Sequence, residues 1–199
     1  MKINWISNEK IVDTTIIKKT EAFFDIEFPE TYKKLVQGYN GGSPEKSKVF
    51  LTDEDDEREF GVLLNYNTNK SQNIIDIYNN NRKFFPPKVF PFACDPAGNY
   101  ICFDYRNNME PEIVFWDHEL DLGTKLIESN ENQITEELIY KEGQKAHEYH
   151  NISFISLNFD SFLEALYEPD FGDEEEDIDQ DFWDKLIKKV EEKEKKENK

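Results

Sequence analysis

The spacing of apolar positions changes period several times along this chain, and each change marks an element. Val12, Ile16 and Phe23 recur at helical intervals and predict a first helix. A short apolar piece around Ile3 and Trp5 precedes it, with Ser7 and Asn8 as candidate caps. In FPETYKKLVQGYNGG, Pro29 suits a first turn, Tyr32, Leu35, Val36 and Tyr39 form one apolar face, and Asn40, Gly41 and Gly42 end it. That stretch predicts a second helix. Strands ending near Phe50 and beginning near Glu59 flank the charged run DEDDE, a strand covers Phe60 to Leu64, and SQNIIDIYNNN reads as a short helix.

Alternation then takes over. Val89 to Cys94, Tyr100 to Tyr105 and Ile113 to Trp116 are aromatic-rich runs of strand length, joined by turn residues Pro96 and Gly98, then Asn107 and Asn108. They predict a β-meander at the centre of the fold. Glu119 to His150 is polar, with helical spacing around Leu122 to Glu128 and Thr135 to Glu148. NISFISLNF reads as a last strand, and DSFLEALYE as a helix capped by Asp160 or Ser161 with Phe162, Leu163, Leu166 and Tyr167 on one face. The expected class is α+β: a twisted, mostly antiparallel sheet with a central meander packed by helices.

From Glu168 to Asp184 there are ten acidic residues and no basic one, a composition boundary too charged to pack a core of its own. Beyond it Phe182, Trp183, Leu186, Ile187 and Val190 make an amphipathic stripe. The expected organisation is a domain over residues 1–167 and, over 168–199, an acidic linker with an amphipathic C-terminal helix.

Charge narrows the partners. With 43 acidic against 24 basic side chains, a formal charge of -19, approach to a nucleic-acid backbone or an anionic membrane is unfavourable. Neither nucleic acid nor membrane is expected as a partner, and a basic protein is. The N-terminus has no apolar signal core and no apolar run approaches the roughly 20 residues of a membrane span, so a cytoplasmic protein is expected. Cys94 and Cys102 lie on opposite arms of the first hairpin, Cys94 facing about Ile101 and Cys102 about Ala93, and read as two reduced, buried thiols.

Candidate chemistry changes the picture little. A calcium loop counted from Asp53 needs Gly at its sixth position and a carboxylate at its twelfth, where Arg58 and Leu64 stand. Counted from Asp177, Phe182 and Lys188 occupy those places. His147 and His150 are one residue too close for HExxH, and His118, between Asp117 and Glu119, has no partner legible in the sequence. GxSxG, paired CxxC and the dinucleotide fingerprint are absent. No metal, no cofactor and no enzymatic activity are expected. In DPAGNY, Asp95, Gly98 and Asn99 read as turn chemistry, with Gly98 at positive φ and Asp95 bonding its own loop backbone.

The Pro-x-x-Tyr helix ending in Asn-Gly-Gly, the VFPFACD hairpin, the strand ending FWDHE and NISFISLNFDSFLEALYE occur in an order that resembles the SUKH superfamily. The branch is the one named after fungal regulators of cell-wall assembly, and the likeness runs from about Ile3 to Tyr167. It implies an α+β domain without catalytic residues. It further implies that a bacterial member is an immunity protein neutralising a polymorphic toxin, often a nuclease, and that fungal members are interaction hubs, which makes a scaffolding module the alternative. The Pro-Ala-Gly-Asn turn, the long Glu119 to His150 region and the acidic tail depart from the pattern. On this reading the partner is the basic C-terminal domain of a toxin. Asp53, Asp55, Asp56 and Glu57 are the first candidate contacts, and Glu174, Glu175, Glu176 and Trp183 of the tail the second.

Overall fold

The computed structural model describes residues 3–120, 125–128, 134–137 and 143–169. In chain order the elements are β1 (Trp5–Ile6), α1 (Thr14–Phe24), α2 (Glu30–Gly38), β2 (Ser43–Pro44), β3 (Lys48–Leu51), β4 (Glu57–Phe60), β5 (Val62–Leu63) and α3 (Ile74–Asn81). There follow β6 (Val89–Cys94), β7 (Tyr100–Asp104), β8 (Glu112–Trp116), β9 (Lys125–Glu128), β10 (Ile134–Glu137), a 3-10 turn (Ala146–Glu148), β11 (Ile152–Ser156) and α4 (Phe159–Ala165). The chain divides at Glu168 and Pro169, and the first unit carries all these elements. The C-terminal helix expected over Phe182 to Val190 lies outside the described residues. The fold is α+β, built on a five-stranded antiparallel sheet of order β11-β8-β7-β6-β5.

Strand alternation explains where the core sits. Ile101 and Phe103 of β7 and Ile113 and Phe115 of β8 point to the larger cluster, with Ile17 and Phe24 of α1, Tyr32 and Val36 of α2, and Phe159 and Phe162 of α4. Cys102, Val114 and Trp116 point to the opposite face and meet Phe85, Ala146, Tyr149 and Ile152. Both faces of the meander are therefore covered. Trp116 is buried, its indole N–H donating to Phe84 O at 3.2 Å.

Several local expectations need correction. The N-cap of α1 is Asp13, whose Oδ1 accepts from Thr15 N at 2.7 Å, and neither Ser7 nor Asn8 serves. Its buried face is Ile17, Thr20 and Phe24, one position on from Ile16 and Phe23, which are exposed. The cap of α4 is Asn158, accepting from Ser161 N at 2.9 Å, and not Asp160 or Ser161. On the predicted face of α2, Tyr39 is exposed. Of the helical stretches expected at Leu122 to Glu128 and Thr135 to Glu148, the described residues form instead two antiparallel strands pairing Lys125 with Glu137 and Glu128 with Ile134, and the short 3-10 turn. Segments as short as KLIE and ITEE, with two and one apolar residues, fit either period, and cross-strand pairing decides.

The register of the first meander hairpin also differs. Cys94 faces Tyr100 because the turn occupies Asp95 to Asn99, and Cys102 faces Pro91 because a bulge between Pro91 and Ala93 shifts the ladder. The thiols are free and belong to different core clusters. Burial pushes the Cys94 thiol up to about 11 and that of Cys102 well above its ordinary value, so both stay protonated.

Candidate functional site

The β3–β4 turn holds the four acidic residues singled out as first contacts, and its geometry divides them. Asp53 is tied to β11: its N–H donates to Phe154 O and its Oδ1 accepts from Phe154 N, both at 2.8 Å. Asp56 pairs with Arg58, whose guanidinium also reaches Asp117 at 3.6 Å and lies 5.0 Å over the Phe115 ring. Glu57 Oε2 accepts from Tyr167 OH at 2.6 Å. Asp55 sits at φ 58° at the tip, exposed beside Glu54, and neither carboxylate has a partner among the described residues. Three of the four carboxylates therefore hold the turn in place. Glu174, Glu175, Glu176 and Trp183 lie outside the described residues.

Asp53 also lines a cleft of about 410 Å³ with Asn107, Asn108, Glu112, Lys145 and Phe154. Replacing it by alanine should speed amide exchange at Phe154 about fivefold, the effect of losing one net hydrogen bond, while asparagine keeps the acceptor and most of the protection. Unchanged exchange in the alanine variant would show that Asp53 does not secure β11.

The Asp95 to Asn99 turn is a closed polar unit. Asp95 Oδ1 accepts from Asn99 N and Oδ2 from Asn99 Nδ2, each at 2.8 Å, and Gly98 adopts φ 96°. Asn99 Oδ1 in turn accepts from His118 N at 3.1 Å and lies 2.7 Å from His118 Nδ1. Because the amide nitrogen of Asn99 is committed to Asp95, its oxygen must be the acceptor, and the neutral His118 ring carries its proton on Nδ1. Asp117 is turned away, its Oδ1 accepting from Glu119 N at 2.8 Å. Among the described residues no group of three His, Cys, Asp or Glu side chains could hold a metal ion.

Sequence reasoning missed a second cleft, larger than the one at Asp53. It measures about 540 Å³ and opens between the end of α1 and the β7–β8 turn, with Phe24, Phe90 and Tyr105 inside and Asp25, Glu27 and Met109 at its edge. Tyr105 OH donates to Glu27 O at 2.7 Å, fixing the α1–α2 connection to the sheet. Asn108 lines both clefts, so the β7–β8 turn stands between them with Met109 96% exposed. One signal was legible: a methionine in the polar turn RNNMEP has no core to enter.

With this architecture in place, the family comparison is decisive, because the model SUKH_6, described as SMI1-KNR4 cell-wall, matches residues 14–163. The chain belongs to the SMI1-KNR4 family. The match spans α1 to α4 and so includes both clefts and the meander. The chain is also similar to the SPbeta prophage-derived uncharacterized protein YokK of Bacillus subtilis strain 168, 30% identical over 127 residues, covering 52% of this chain. It spans 61% of that relative's length. No solved structure matches. No helix among the described residues is long and apolar enough to cross a membrane.

Proposed function

We propose that this SMI1-KNR4 chain is a non-catalytic immunity protein that acts in the cytoplasm and neutralises a cognate toxin by direct binding. Family membership carries the reading, since bacterial SUKH proteins are often immunity proteins. The prophage origin of its relative fits a role in competition between cells.

Charge supplies the mechanism. Residues 170–199 hold 13 of the acids and 7 of the bases, which leaves 30 acidic and 17 basic side chains, a formal -13, on residues 1–169. The field therefore does not depend on the tail. A nuclease toxin must present a positive groove to its phosphate substrate, and an acidic inhibitor is drawn to that groove with association faster by about 10–10³. Apolar contacts then set the lifetime of the complex.

The test is calorimetric titration against the toxic C-terminal domain of the large secreted protein encoded nearest the gene, at low and at physiological salt. Tight one-to-one binding is expected, with a Kd that rises by about tenfold or more as salt rises. Absence of binding at both salts would overturn the reading.

A further inference from the structure

We propose that the cleft between the end of α1 and the β7–β8 turn is the docking surface for a basic segment of the partner protein. A lysine or arginine stem lies on its aromatic floor, with the cationic head between Asp25 and Glu27. The inference rests on the binding reading above and names its surface and recognition chemistry.

The floor is apolar and preassembled. Phe24 and Phe90 pack with ring centroids 4.9 Å apart, Phe90 and Tyr105 at 6.1 Å, and the Tyr105 hydroxyl is already spent on Glu27 O. At about 540 Å³ the cleft falls within the range of roughly 300–1,000 Å³ typical of binding pockets. Its rim is acidic. Glu21 is engaged, accepting from Phe28 N at 2.9 Å and lying 3.5 Å from Lys33. The Glu27 carboxylate touches the same lysine at 3.5 Å but keeps 83% of its side chain exposed, and Asp25 is exposed with no side-chain partner among the described residues. Lys88 is the basic residue of the lining.

That combination selects its occupant. A purely apolar segment would strip water from Asp25 and Glu27 without pairing them, which is costly. A second copy of this chain brings like charge, at -19 per chain, and a nucleic acid brings more of it. Lysine and arginine carry an apolar stem and a cation on one side chain, so they satisfy floor and rim together, and a guanidinium gains further attraction over an aromatic face. Met109, at the exposed tip of the adjoining turn, adds an adaptable apolar contact at the edge.

The probe is an acetylated Gly-Leu-Arg-Leu-Arg-Gly amide, titrated into the full chain and followed by amide shifts, with the same peptide carrying Glu for Arg as control. Saturable shifts are expected at Asp25, Ile26, Glu27, Tyr105 and Met109 with the arginine peptide alone. In Asp25→Asn/Glu27→Gln the Kd should rise about fivefold or more. Asparagine tolerates the left-handed conformation of Asp25, at φ 56°, and Glu27 is exposed, so the fold is retained and an unchanged unfolding midpoint verifies it. No saturable shift, shifts confined to another face, or equal affinity in the variant overturns the proposal. A second arm titrates Asp25→Asn/Glu27→Gln/Met109→Glu against the toxic domain, where a loss of about tenfold or more is expected. Unchanged affinity there would sink the cleft and leave the immunity reading standing. Failure of the unmodified chain to bind the toxic domain would sink the immunity reading, and the peptide result would still decide the cleft.

Discussion

Asp104→Ala is expected to cost about 3–5 kcal/mol of folding stability, because it strands a buried guanidinium. Asp104 ends β7, and its Oδ1 accepts from Arg106 N and Nε at 2.9 Å while Oδ2 accepts from Nη2 at 2.6 Å. Both side chains are closed to solvent, each 0% exposed. Burial opposes the charge on Arg106, and the Asp104 hydrogen bonds and charge more than offset it, raising the pKa above the ordinary arginine value. Nη1 already lacks an acceptor among the described residues, and the guanidinium rests 4.5 Å over the Tyr149 ring. Without the carboxylate, three further donations lose their acceptor.

Urea unfolding checks this through a double-mutant cycle. Asp104→Ala/Arg106→Met should recover much of the loss, since the penalty belongs to the unpaired charge rather than to the absence of a bridge. A single variant costing less than about 1 kcal/mol, or a double variant no better than the single, would show that water reaches the site. The pair lies at the root of the β7–β8 turn, so it also fixes where Asn108 and Met109 stand between the two clefts.

The meander was legible because three cues agreed there: period-two alternation, aromatic and β-branched composition, and Gly, Pro and Asn at its turns. The α1 face was not. Ile16 and Ile17, then Phe23 and Phe24, are adjacent pairs of equal hydrophobicity, so the apolar pattern permits two phases one residue apart. Thr20 decides between them, because its hydroxyl donates to Ile16 O at 3.1 Å and can be buried without leaving a polar group unmet. For β9 and β10 the deciding interaction is a cross-strand ladder that local spacing does not encode.

The site divides in the same way. Charge along DEDDE can be counted in the sequence, whereas the partners that commit Asp53 and Glu57 lie 101 and 110 residues away, at Phe154 and Tyr167. A charge run read alone therefore overstated the free carboxylates. The aromatic cleft joins Phe24 to Phe90 and Tyr105 across two elements, and only the folded chain brings them together. What the sequence did carry was the sign of the field, which distance along the chain does not alter.

The centre of the larger core should be the least tolerant point of the fold: Phe103→Ala is expected to cost about 3–5 kcal/mol, against less than about 1 kcal/mol for Phe23→Ala. Phe103 is fully buried and meets Phe92 with ring centroids 4.3 Å apart, Tyr32 at 4.9 Å, Phe28 at 5.7 Å and Phe159 at 5.8 Å. Those neighbours come from β6, α2, the α1–α2 connection and α4, so one ring joins the sheet to two helices and a loop. Its removal leaves a cavity that four elements would all have to move to fill, and close-packed interiors relax only partly. Phe23 is half exposed and its loss opens no cavity. Chemical denaturation of both variants at unchanged m-value measures the difference. Equal costs would mean that α1 buries its Phe23 face, and the assignment of Phe24 to the cleft floor would fall with it.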